Sequence, residues 1–223
     1  MKNIFARGGI EFVAVFLGII LSLYVDQRRS DEAVKKDLLS DYIGIRNDLT
    51  KDLPYIKRLI KYWKEDVGDC NEIIKILDNE SEYDYQRIVE IKRGKERNDG
   101  GSFYGTKTAY TSATSSGRLS YFGNNQLAKK IGNIYEHHYH RLEENGRVYD
   151  DFFINRTIRL NLGPRFNSLP VKEFNEQIIA SNEYYINNEL DCFIRKWILD
   201  KMEKASIDME EVVLLLDSEI NKL

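Results

Sequence analysis

Hydrophobic residues dominate the first thirty positions of the chain. Residues 10–25 are apolar at all but two positions, and basic residues flank this run on both sides. Sixteen helical residues rise about 24 Å, and a helix counted from Ile4 rises about 33 Å, which matches the roughly 30 Å hydrocarbon core of a bilayer. The pattern predicts a transmembrane helix within residues 1–29.

One face of this predicted helix is small and polar, whereas the other faces are apolar. The residues on that face are Arg7, Glu11, Ala14, Gly18 and Ser22. A carboxylate in hydrocarbon requires a partner, and small residues four positions apart let helix backbones approach closely. The face therefore predicts an oligomer, either through helix contact or around a pore. The alternative is a monomeric anchor in which Glu11 extends to the membrane interface.

The basic residues around the apolar run predict its orientation. Four of them follow it closely, at Arg28, Arg29, Lys35 and Lys36, against two in front. This bias places the following domain in the cytoplasm and the amino terminus outside. No small-residue cleavage site follows the run, so we expect the segment to be retained as an anchor.

A long amphipathic pattern follows the apolar run. Apolar residues recur at steps of three and four from Val34 to Val67, which is typical of a helix and favours a helical stalk over residues 30–82. Pro54 either kinks this helix or begins a second helix capped by Asp52. The stripe suits a coiled coil between copies of the chain or packing against the chain's own later helices.

The rest of the chain divides into a basic, glycine-containing loop region at residues 83–105 and a helical cytoplasmic domain at residues 106–223. Gly117 is placed to end one helix, and Asn124 to cap the next. Asp208 and Glu211 form a capping box that predicts the start of a final helix. Its expected core positions are Val212, Leu215, Leu216 and Ile220. The predicted fold class is all-α.

Composition narrows the possible functions. The net charge is −3 and both signs are interleaved, so duplex nucleic acid is not an expected partner. The two cysteines lack a CxxC spacing and are expected to be packed thiols in a reducing compartment. His138 is expected in the core rather than in a metal site. No catalytic motif is evident, so we expect no enzyme activity, no cofactor and no metal.

The best candidate for a ligand site lies between residues 87 and 118. This stretch mixes basic, hydroxyl and aromatic side chains, which suit phosphates and stacked bases. The nucleotide-binding candidates are Lys107, Tyr110, Ser115, Ser116 and Arg118. The alternative is a solvated loop beside a well-capped helix.

Several short motifs support a resemblance to known proteins. They are the run from Glu11 to Asp26, Thr108-Ala-Tyr110, Ser115-Ser-Gly117-x-Leu119 and Ile134-Tyr135. The chain resembles a bacterial family of small, singly anchored helical proteins of unknown function, and is similar to the transmembrane effectors of Hailong anti-phage defence systems. The resemblance implies an oligomeric ion channel in the bacterial inner membrane. It also implies gating by a nucleotide or oligonucleotide that a partner nucleotidyltransferase makes.

Two functions are therefore predicted. The first is an oligomeric membrane effector that forms a regulated ion channel or pore, for which the resemblance implies gating by a nucleotide and a role in anti-phage defence. The alternative is a membrane-anchored helical scaffold or adaptor that binds a cytoplasmic protein partner. A channel built from one helix per chain requires several copies, so the oligomeric state bears on both.

Overall fold

The computed structural model describes residues 2–78, 85–93, 101–121, 124–160, 178–179 and 181–222. Within these ranges the secondary structure is helical and contains no strand, which confirms the all-α prediction. The helices are α1 (Lys2–Asp78), α2 (Tyr85–Arg93), α3 (Thr108–Ser115), α4 (Arg118–Tyr121), α5 (Asn125–Gly132), a π-helix (Asn133–Tyr139), α6 (His140–Arg159) and α7 (Asn182–Ile220).

Helix α1 runs without a break through both the predicted membrane segment and the predicted stalk. Pro54 lies inside it, so the alternative of a second helix capped by Asp52 is wrong. Leu49, five residues before Pro54, and Ile56, two residues after it, are fully buried. Their packing supports a continuous helix even though proline removes one backbone donor.

From Leu38 onward, α1 packs against α7, which runs antiparallel to it. Successive contacts along α1 meet earlier residues of α7, at Arg46 with Asp217, Lys64 with Glu203 and Cys70 with Cys192. Of the two alternatives for the stalk, this chain uses its own later helices. The main core lies along this seam and includes Tyr42, Trp63, Phe103, Tyr139 and Met209.

Helix α7 is one 39-residue helix that begins after the N-cap Ser181, whose hydroxyl accepts a hydrogen bond from the Tyr184 N–H. The predicted helix start at Asp208 and Glu211 is therefore wrong. Val212 and Leu216 are buried as expected, but Leu215 is 37% exposed. Neighbouring helical residues point about 100° apart, so the rotation that buries Leu216 turns Leu215 outward.

Two predicted helix ends are confirmed. Gly117 adopts a positive φ of 74° after α3, a conformation that glycine reaches without steric cost. The Asn124 side chain caps α5 by accepting hydrogen bonds from the Gln126 and Leu127 N–H groups at 3.0 and 3.2 Å. Both caps help to set where α3 ends and where α5 begins.

The predicted loop region at residues 83–105 contains a helix, α2. Ile88 and Val89 of α2 join a second, smaller core with Ile73 of α1 and Tyr184 of α7. Residues 79–84 and 94–100 lie outside the described residues.

Candidate functional sites

Within the part of the chain that the structure describes, the segment of α1 from Phe12 to Val25 is not buried by any other helix. Every described side chain in it is exposed, and Phe12, Leu17 and Leu21 are 70%, 58% and 65% exposed. Large apolar side chains therefore cover most of the helix surface, apart from the face that carries Gly18 and Ser22. In water, these side chains form a long exposed hydrophobic surface, and surfaces of this kind mark interaction sites.

Of the five residues on the predicted small and polar face, only Gly18 and Ser22 belong to the part of α1 whose side chains are described. Gly18 and Ser22 are exposed, and a Cβ atom added at Gly18 would meet nothing within 4 Å. Arg7, Glu11 and Ala14 belong to α1, but their side chains lie outside the described ones. Lining of a pore or an oligomer interface by these five residues stays a prediction.

Among the residues that the structure describes, no helix includes a stretch that is sufficiently long and apolar to cross a bilayer. The predicted transmembrane character of residues 1–29 is thus not supported by the fold.

Two of the nucleotide-binding candidates form ion pairs within the domain. Lys107 Nζ lies 2.7 Å from Glu143 Oε2. Arg118 donates from Nε to Asp41 Oδ2 at 2.8 Å and from Nη2 to Asp41 Oδ1 at 3.1 Å. This bidentate pair ties α4 to α1, and it raises the pKa of Arg118 above its ordinary value. A phosphate would have to displace both carboxylates.

The other three candidates also have structural roles or face outward. Tyr110 is half-buried and stacks on Tyr135 with ring centroids 4.3 Å apart, and burial and Glu136 raise its pKa to about 12. Ser116 donates to the Ala113 carbonyl oxygen at 2.9 Å, and Ser115 is exposed. The five candidates thus lie close together in sequence, in and beside α3 and α4, and nucleotide binding by them stays a prediction.

A buried carboxylate cluster that the sequence analysis missed lies beside these residues. Asp52 is 5% exposed. It accepts hydrogen bonds from the Thr106 N–H at 2.7 Å, the Thr106 hydroxyl at 2.9 Å and the Tyr139 hydroxyl at 3.0 Å. Burial and this carboxylate raise the pKa of Tyr139. An aspartate between the core residues Leu49 and Ile56 was the available signal, because a polar residue in an apolar stripe needs a buried partner.

His138 lies in the core, as predicted, on the π-helix, and is 6% exposed. Its Nε2 lies 2.7 Å from Asp208 Oδ2 and 3.1 Å from Asn133 Nδ2. Asp208 therefore joins α7 to the π-helix instead of capping a helix. A shallow depression of about 70 Å³ beside it is lined by Lys130, Asn133, Asp208, Glu211 and Val212. This volume admits water rather than a nucleotide.

Cys70 and Cys192 form a disulfide, with Cα atoms 5.6 Å apart and a sequence separation of 122 residues. The expectation of two packed thiols is therefore wrong. Both residues do face the core between α1 and α7, at 3% and 7% exposure, as expected from their apolar surroundings. Residue spacing alone does not reveal that the antiparallel pairing of two long helices brings these positions together.

The chain belongs to a family of unknown function, DUF6090, whose model matches residues 11–194. This match covers most of α1 and the domain up to the first third of α7. It supports the resemblance to an uncharacterised family but does not confirm the resemblance to Hailong effectors. No curated protein and no solved structure matches the chain.

Proposed function

We propose that the protein is a membrane-anchored helical scaffold, held at the bilayer by the N-terminal part of α1. The observation that carries this proposal is the exposure of every described side chain from Phe12 to Val25. Burial of each large apolar side chain is worth about 1.5 to 3 kcal/mol. A bilayer offers that burial on all sides of a helix, whereas a protein groove covers only one.

Membrane extraction tests this anchor. Full-length protein expressed in bacteria should remain in the membrane pellet after washing at alkaline pH. Replacement of Phe16 and Ile20 by Asp should move it to the soluble fraction, because charges on the lipid-facing surface oppose insertion.

Ile43→Asp is the matched control. Ile43 lies on the same helix and is 40% exposed, but it belongs to the folded domain. This variant should stay in the pellet like the wild type. Wild-type protein that alkaline buffer extracts completely would overturn the anchor.

The side of the membrane that the domain occupies is proposed from the disulfide. Basic residues behind the apolar run predict a cytoplasmic domain, but disulfides are rare in the reducing cytoplasm. The Cys70–Cys192 bond joins two long helices within the core, which favours a domain that folds in an oxidising compartment. We therefore place the domain on the outer side of the membrane.

Thiol trapping decides between the two orientations. Cells are quenched in acid, denatured and treated with a maleimide that adds mass to each thiol. The oxidising side predicts no mass shift without reductant and a shift for two thiols after reduction. Two thiols trapped without reductant would restore the cytoplasmic orientation, and the Cys70→Ser, Cys192→Ser variant serves as the unlabelled control.

Self-association is the second part of the proposal. An apolar stripe on the outer face of α7 consists of Ile186, Leu190 and Phe193, at 52%, 44% and 69% exposure. Copies anchored in one membrane share one orientation, so this stripe and the small face of α1 can meet their counterparts in a second copy.

Phe193→Glu and Gly18→Leu should each lower the mass of the detergent-solubilised species measured by light scattering. A wild-type protein that is monomeric at all concentrations would refute this part.

A channel remains a second candidate function, favoured by the open space around Gly18 and the exposure of Ser22. If copies surround a water-filled axis, wild-type protein should conduct ions in planar bilayers. Gly18→Leu should then block the current, with Leu17→Ala as the control on the lipid-facing side. An oligomer that never conducts would leave only the scaffold.

A further inference from the structure

Three cationic side chains are electrostatically coupled where the residues of α2 pack beside the end of α6 and the start of α7. They are Lys92 of α2, Arg156 of α6 and Arg195 of α7. Two carboxylates face them, Asp191 of α7 and Asp66 of α1. We call this region the basic junction, and its cations exceed its carboxylates by one.

The carboxylates of the basic junction are already engaged. Asp191, which is 1% exposed, accepts hydrogen bonds from Arg156 Nη1 at 2.6 Å, from Arg195 Nε at 2.8 Å and from the Tyr149 hydroxyl at 3.2 Å. Arg195 also pairs with Asp66. Two arginines and two carboxylates therefore neutralise one another, and the described residues leave no hydrogen-bond acceptor for Lys92.

Donors remain unpaired at the same place. Arg156 and Tyr184 are 5% and 1% exposed, and among the described residues Arg156 Nε and the Tyr184 hydroxyl have no hydrogen-bond partner. Within that same part of the chain, Lys92 forms no ion pair or hydrogen bond either. A buried donor without an acceptor costs about 1 to 3 kcal/mol, so the Arg156 and Tyr184 donors call for an acceptor that the described residues do not supply. Lys92 adds a positive charge beside them.

Electrostatics at Lys92 lead to the same requirement. Desolvation, followed by repulsion from Arg156 and Arg195, lowers the pKa of Lys92 to about 7, even though Asp191 and Asp66 act in the opposite direction. A bound anion would favour the charged amine and reverse this shift. Lys92 is only partly buried, so an ion can reach it from solvent.

We propose that the basic junction binds a small oxyanion, of the phosphate, sulfate or carboxylate class, through Lys92, Arg156 Nε and the Tyr184 hydroxyl. Lipid head groups are not the source of this ion, because α2 lies far from the proposed membrane segment. Arg87 of α2 pairs with Glu72, which is about 70 Å along α1 from Val25. The ion comes from solution. It would cross-link α2 to the helix pair α6 and α7, whatever medium surrounds the start of α1.

Titration with sulfate tests the proposal, because the charge of sulfate is constant between about pH 6 and 9, the range in which Lys92 titrates. Full-length protein in detergent is titrated by calorimetry with sodium sulfate, inorganic phosphate or acetate, against chloride at equal ionic strength. Binding should be detected at pH 6 and should weaken as the pH rises through about 7. The three arms distinguish tetrahedral oxyanions from carboxylates.

Three variants separate the junction from a general salt effect. Lys92→Met should raise the sulfate Kd about tenfold or more, as expected for loss of a charged hydrogen bond. Lys92→Arg should retain binding and lose its pH dependence near 7, because arginine stays charged. Lys129→Met, on the exposed face of α5, should bind like the wild type. Equal sulfate binding by Lys92→Met and the wild type, or no binding at pH 6, would overturn the proposal.

Discussion

The two halves of α1 share one continuous helix but lie in opposite environments. From Phe12 to Val25 every described side chain is exposed, whereas from Leu38 to Leu77 a stripe of side chains is buried against α3 and α7. The first half is apolar over most of its circumference, apart from the face of Gly18 and Ser22, and the second is apolar on one face only. The one-sided apolar stripe of the second half is buried by other helices of the same chain. The broad apolar surface of the first half requires a partner outside the chain.

The largest expected effect comes from truncation of a core side chain in the second half. Trp63 is 1% exposed, so Trp63→Ala should lower the free energy of unfolding by about 3 to 5 kcal/mol. Phe16→Ala on the exposed half should leave it unchanged. Urea unfolding in detergent, followed by circular dichroism, measures both. Similar losses in the two variants would show that the exposed half also packs within the domain.

The disulfide should have the next largest effect, and only on the second half. Cys70→Ser together with Cys192→Ser should destabilise the domain by about 2 to 4 kcal/mol, because the unfolded chain is released from a long loop. The same unfolding measurement checks this value, with reduced wild-type protein as a second sample. Equal stability with and without reductant would show that the bond contributes nothing to the fold.

Two glycines contrast a packed site with an open one. A Cβ atom at Gly105 would lie 2.0 Å from Tyr139 Cε2, so Gly105→Ala should destabilise the domain by about 1 to 3 kcal/mol. At Gly68, inside α1, a Cβ atom meets nothing within 4 Å, and Gly68→Ala should stabilise it by up to about 1 kcal/mol. Thermal unfolding of both variants tests the contrast, which fails if the two shifts have the same sign.

The smallest expected effect is the pH dependence that Lys92 adds. Its pKa in the folded state, about 7, lies below the ordinary 10.5, so between these values the unfolded chain binds more protons. Stability should therefore rise from about pH 7 to pH 9.5 in chloride buffer, and Lys92→Met should remove this rise. Solvent near the partly exposed Lys92 limits the size of this pH-dependent change in stability. A wild-type stability that falls across this range would contradict the assigned shift.

The elements of this fold could largely be predicted from local patterns. The long helix, the Asn124 cap and the Gly117 turn follow from periodicity and capping chemistry, which involve residues close in sequence. Two predicted helix starts, at Pro54 and at Asp208, are wrong. Burial of Ile56 and pairing of Asp208 with His138 outweigh the local signals there. Neither long-range contact is visible in a window of a few residues.

The candidate sites could be predicted less well. Lys107 and Arg118 have the chemistry of phosphate ligands, but the structure pairs them with Glu143 and Asp41 from distant parts of the chain. The basic junction escaped prediction for the same reason, since Lys92, Arg156 and Asp191 come together only when α2, α6 and α7 pack. Residue type indicates what a side chain can bind, and the fold determines what it does bind.

The location of a spin label on each half of α1 tests the central claim most directly. Leu17→Cys carries the label in the exposed apolar half, and Lys61→Cys carries it on an exposed position of the domain. Cys70 and Cys192 are joined and should not react. In liposomes, oxygen, which concentrates in lipid, should relax the label at position 17, and a water-soluble nickel chelate should relax the label at position 61. If the chelate relaxes both labels equally, α1 does not enter the membrane and the proposed anchor is wrong.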